Sequence, residues 1–183
     1  MEKEFNVTGN CRPAKHYMAD VSGKLVQAFK MIQKGSYFII NRPRQYGKTT
    51  MLYILADMLR KTGEYIVFNT SFEGVGDSFF MAEKVFSQRF ILLLGEYAQH
   101  VGIEMGGWLK EVSGTIQDIQ GLSGVITEKV NRTDKKVVLM IDEVDKNSNN
   151  QLFVNFLAML RNKYLAQDDV KTFHSVVLAG CTT

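Results

Sequence analysis

The chain has 183 residues, enough for one α/β domain with a sizeable core. Hydrophobic residues make up 45% of it and charged residues 22%, which excludes the core-poor composition of disordered chains. The formal net charge of +3 comes from lysines and arginines interspersed with acids, so there is no basic run to argue for nucleic acid. Cys11 and Cys181 stand far apart and in no metal-ligand spacing, against both a zinc site and a disulfide framework.

The opening residues MEKEFNVTGN lack the apolar stretch of a leader, and the densest apolar patch, around Leu93, is too short to cross a bilayer. With the sparse cysteines this predicts a cytoplasmic protein with no membrane partner. Residues 36–41, SYFIIN, form a short apolar run bounded by Gly35 and by Arg42-Pro43, the signature of a buried strand. The loop that follows ends in Gly47-Lys48-Thr49, after which Met51, Leu52, Leu55, Met58 and Leu59 recur at helical intervals up to a stop at Gly63. A second strand is expected over 65–69, YIVFN, in the same sheet as the first because a right-handed crossover joins parallel strands.

Residues 75–133 read as helical in pieces. Phe79, Phe80, Val85, Phe86, Phe90, Ile91 and Leu94 supply one face, with breaks at Gly102, Gly106 and Gly107 and further punctuation at Gly121 and Gly124. KVVLMID at 136–142 is the clearest strand, continuous and β-branched as strands buried on both faces are. A helix over about 150–166 and a last strand at 173–180, FHSVVLAG, complete the pattern. Strands alternating with helices predict a parallel sheet covered on both faces, with its ligand at the carboxyl ends of the strands.

Two motifs fall at those ends. A strand–loop–helix junction answers the charge of a triphosphate with inward amides and the positive end of a helix dipole. In it Gly47 keeps side chains away from the phosphate, Lys48 reaches the β- and γ-phosphates, the Thr49 hydroxyl is a Mg²⁺ ligand and Thr50 helps close the first helical turn. The first glycine of the usual phosphate-loop pattern is replaced by Arg42, and Pro43 stiffens the approach, while Arg42 and Arg44 still present cations. About ninety residues on, Asp142 ends a buried strand, where a carboxylate is costly unless it serves a cation, so it is expected to orient a Mg²⁺-bound water. Glu143 is then placed to act as general base on the attacking water. Asp145 is either a third participant or the cap of the following helix. Arg161 stands as a candidate finger, with a solvated surface arginine as the more ordinary reading.

CRPAKHYMAD, GSYFIINRPRQYGKTTMLY, VVLMIDEVDK and FHSVVLAG together resemble the AAA-ATPase-like family of bacterial P-loop proteins over nearly the whole chain. Members often read close to INRPRQYGKTT, so the arginine at 42 is that family's own variant, and the resemblance extends the phosphate loop over Arg44, Gln45 and Tyr46. It implies a P-loop NTPase fold of the additional-strand type, with the strand ending at Gly180 lying between the loop strand and the Asp142 strand. It further implies a γ-phosphate sensor at Thr182 or Thr183, and an adenine-stacking role for Tyr17 with His16 on the edge of the base; packing of that segment against the sheet is an equal rival. Residues 1–183 are then one domain, with 1–34 a segment and helix leading into the core. Relatives resemble a fusion to a C-terminal nuclease-like domain, so the chain reads as an N-terminal fragment that stops before a closing strand and lid.

The expected function is ATP hydrolysis with Mg²⁺, the rival being a nucleotide-gated switch with little turnover. A homo-oligomer or a protein partner is left open.

Overall fold

The computed structural model describes residues 22–41, 47–147 and 150–180. In chain order the elements are α1 (Ser22–Gln33), β1 (Tyr37–Asn41), α2 (Lys48–Lys61), β2 (Tyr65–Ser71), a 3₁₀ turn at Asp77–Phe80, α3 (Glu83–His100), α4 (Gly106–Ser113), α5 (Ile119–Asn131), β3 (Lys136–Asp142), a second 3₁₀ turn at Val144–Asn147, α6 (Gln151–Leu165) and β4 (Ser175–Gly180). All strand pairs are parallel and the order is β1-β4-β3-β2. The last strand therefore inserts between the loop strand and the Asp142 strand, as the additional-strand reading requires. β2, although it follows β1 in the chain, pairs with β3 at the far edge.

Alternation along the strands divides the core in two. On one face Val138 and Met140 of β3 and Val177 and Ala179 of β4 pack with Leu25 and Ile32 of α1 and Leu52, Leu55 and Leu59 of α2. On the other, Val137, Leu139 and Ile141 of β3 and Val176 and Leu178 of β4 pack with residues of α3, α5 and α6. β3 and β4 are apolar on both faces because both are covered. β1 departs from the buried strand expected of it. It pairs only with β4 among the described residues, and Ile39 is 59% exposed. Among the described residues no helix is long and apolar enough to cross a membrane.

The 75–133 region resolves into the first 3₁₀ turn and three helices, and here one expectation fails. Gly121 and Gly124 do not punctuate the chain but lie inside α5. Asp118 caps that helix, its Oδ1 accepting from the Gly121 N–H at 2.7 Å, and Leu122, Ile126 and Val130 bury one face. A cap and a buried stripe of that kind outweigh the roughly 1 kcal/mol that each glycine costs in a helix. Gly102 does mark a break, with φ +75° just beyond α3, whereas Gly106 starts α4 in close contact with Gln99 and Gly95 of α3.

The richest packing stands behind the tip of β3. Phe72, the residue after β2, lies within 6.3 Å of the rings of Phe79, Phe80, Phe86, Phe90, Phe153 and Phe156. Its backbone N–H donates to the Asp142 carbonyl at 3.3 Å. The aromatic cluster thus braces the strand end that carries the carboxylate.

Candidate functional site

The chain leaves the outer end of β1 and re-enters helix at Gly47, which has φ 72° and ψ 25° and caps α2 without a side-chain bond. That left-handed conformation is the reason for glycine that the structure supplies. A Cβ built at position 47 would meet nothing within 4 Å among the described residues other than its chain neighbours. The first turn of α2 holds no acidic residue, and Arg60 and Lys61 lie in its last turn. The positive end of its dipole is therefore not offset by a carboxylate of its own. Lys48 is 6% exposed and Thr50 7%, unusual for a lysine and consistent with a structured first turn.

Thr49 and Asp142 meet directly. The Thr49 hydroxyl donates to Asp142 Oδ2 at 2.6 Å, across 93 positions of sequence. Asp142 is 2% exposed, and its Oδ1 accepts from the Glu143 N–H at 2.9 Å. A carboxylate offers about four acceptor positions, so two hydrogen bonds satisfy it in part. No ion pair to Asp142 is formed among the described residues. A buried carboxylate satisfied only by neutral donors is energetically expensive, and a cation beside it would offset that cost.

The oxygens of Thr49 and Asp142 suit a hard ion such as Mg²⁺, which keeps several waters and takes further oxygens from phosphate instead of a full protein cage. No group of three or more His, Cys, Asp or Glu side chains gathers among the described residues.

Glu143 has φ +58°, the one non-glycine residue in the left-handed region among those described. A β-carbon there costs about 1–2 kcal/mol. The turn it makes redirects the chain from β3 into the Val144–Asn147 turn, and a sequence carries no direct mark of it. That turn packs against the end of β4. A Cβ on Gly180 would lie 3.1 Å from Asp145 Oδ1 and 3.2 Å from Val144 Cγ2. Asp145 does not cap the following helix, as one reading allowed. Asn150 does, its Oδ1 accepting from the Phe153 N–H at 3.2 Å.

Arg161 is not brought to this end of the sheet. Its charge acts on Tyr37 at the start of β1. The loop leaves from Asn41, four residues and thus about 13 Å further along the strand. Tyr17, Arg44, Gln45, Tyr46 and Thr182 lie outside the described residues, as do His16, Arg42, Pro43 and Thr183. The structure brings the start of α2, with Gly47, Lys48, Thr49 and Thr50, to the end of β3, with Asp142 and Glu143, and of these Thr49 and Asp142 are in direct contact.

A family model described as an AAA-like domain matches residues 13–181. No curated protein matches the chain.

Proposed function

The chain belongs to the AAA-like domain family, a family of nucleotide-binding, ATPase-type modules, and on that premise we propose that it binds ATP with Mg²⁺ and hydrolyses it. The observation that carries the reading is the 2.6 Å bond from Thr49 to Asp142, which unites the end of the phosphate loop with the end of β3. The N-terminal amides of α2 and the Lys48 ammonium would hold the phosphates, with Arg44, Gln45 and Tyr46 completing the loop. Thr49 and Asp142 would hold Mg²⁺, Asp142 through a water, and the bound ion would neutralise charge on the phosphate oxygens. Glu143 accepts a proton from the water that attacks the γ-phosphorus. A new P–O bond forms as the bridging bond to the β-phosphate breaks, and ADP departs with the electron pair. Tyr17 stacking on the adenine and Thr182 sensing the γ-phosphate belong to the same proposal.

Two substitutions separate binding from chemistry. Lys48→Ala is expected to abolish ATP binding. Glu143→Gln is expected to keep it while lowering phosphate release by about 10²-fold or more. Unchanged turnover in both variants would refute the hydrolytic reading. Tight ATP binding with negligible phosphate release by the wild-type chain would favour a nucleotide-gated switch instead.

A further inference from the structure

Between α5 and α6, on the face of the sheet away from α2, lies a cleft of about 450 Å³. That is within the range of roughly 300–1,000 Å³ typical of small-molecule sites. Ile119 and Ser123 of α5, Met159, Asn162 and Lys163 of α6, and Thr172 in the segment before β4 contribute to its walls. Lys163 is half-buried there. Its Nζ donates to Thr127 Oγ1, and the Thr127 hydroxyl spends its own proton on the Ser123 carbonyl at 3.2 Å.

An ammonium group has three donors, and this bond uses one of them. No carboxylate pairs with Lys163 among the described residues. Burial pushes its pKa down, with no acidic group acting to raise it.

We propose that the α5–α6 cleft is a binding site for a small organic monocarboxylate, its carboxylate paired with Lys163 Nζ and its apolar body laid against Ile119 and Met159. One cation among apolar and neutral polar walls matches a single negative charge. A phosphate dianion would bring a second charge with no second cation in the lining, at a desolvation cost the site does not offset. The site is separate from the strand ends that carry Thr49 and Asp142, and its occupancy does not depend on the nucleotide reading.

Butyrate is a suitable probe, titrated into the full chain labelled with ¹⁵N. The amide resonances of Ser123, Asn162 and Ala166 are expected to shift saturably, while n-butylamine, a cation of similar size, leaves them in place. Lys163→Met retains the packing of the stem and removes the charge. It is expected to weaken butyrate binding by about tenfold or more with the thermal midpoint preserved. Lys163→Arg, which keeps the cation, is expected to retain binding. Absence of saturable shifts in the wild-type chain, equal affinity in Lys163→Met, or equal shifts with n-butylamine would each overturn the proposal.

Discussion

Gly47 and His174 show how much single positions contribute. At Gly47 the φ of 72° lies in the left-handed region, which disfavours any residue with a β-carbon. Gly47→Ala is therefore expected to cost about 1–2 kcal/mol in urea unfolding. His174 is a quieter case. Burial holds its pKa below the ordinary value of 6.5, the backbone at Ile32 pulls it up, Lys136 pushes it down and the backbone at Gln33 opposes that. Its Nε2 is buried without a partner among the described residues, so a proton there would add an unsatisfied donor. The unfolded chain then binds the proton more tightly than the folded one. Stability should fall as pH drops from about 6.5 through the lower folded pKa, and this group should have no effect on stability above about 6.5. His174→Gln should flatten that slope in denaturation followed across the same pH window. The meeting of the start of α2 with the end of β3 was legible in the sequence, because a strand–loop–helix junction and an acidic strand end both fall at the carboxyl side of a parallel sheet. The left-handed turn at Glu143 and the burial of His174 depend on neighbours distant in the chain, so no local pattern announced them.

Among the elements, two helical glycines make opposite predictions. Gly124 sits inside α5, and a Cβ there would meet nothing within 4 Å among the described residues. Gly124→Ala should raise stability by about 0.5–1 kcal/mol through helix propensity and a less flexible unfolded chain. At Gly106, where α4 meets α3, a Cβ would fall 2.8 Å from the Gln99 nitrogen and 2.9 Å from the Gly95 carbonyl oxygen. Backbone cannot yield as a side-chain tip does, so Gly106→Ala should destabilise by about 1–3 kcal/mol. Thermal and urea unfolding of the pair would show the two signs. β3 was readable to its ends because a strand buried on both faces is a continuous apolar run. β1 was found but its burial was overestimated, since an apolar run does not record how many strands will flank it. In α5 the glycines suggested breaks where a cap at Asp118 and a buried stripe sustain a helix.

At the scale of the molecule, strand order turns these elements into a site. Insertion of β4 between β1 and β3 brings Asn41, Gly180 and the end of β3 to one edge, and the two cores hold the sheet from either side. That order was expected only through the family resemblance, because strand pairing across more than a hundred residues leaves no periodic trace. The phenylalanine cluster behind β3 bears on the same geometry. Phe156 is fully buried within it, and Phe156→Ala should cost about 3–5 kcal/mol in unfolding experiments. The central claim is that the Thr49 hydroxyl and the Asp142 carboxylate form the metal-holding half of a nucleotide site. Calorimetric titration of ATP with Mg²⁺ and with EDTA, in the wild-type chain and in a Thr49→Ala/Asp142→Asn double variant, tests it most directly. Wild-type affinity should fall by about tenfold or more when the metal is withdrawn, and the double variant should show no such difference. Equal wild-type affinity under both conditions, or a metal dependence that survives in the double variant, would contradict it.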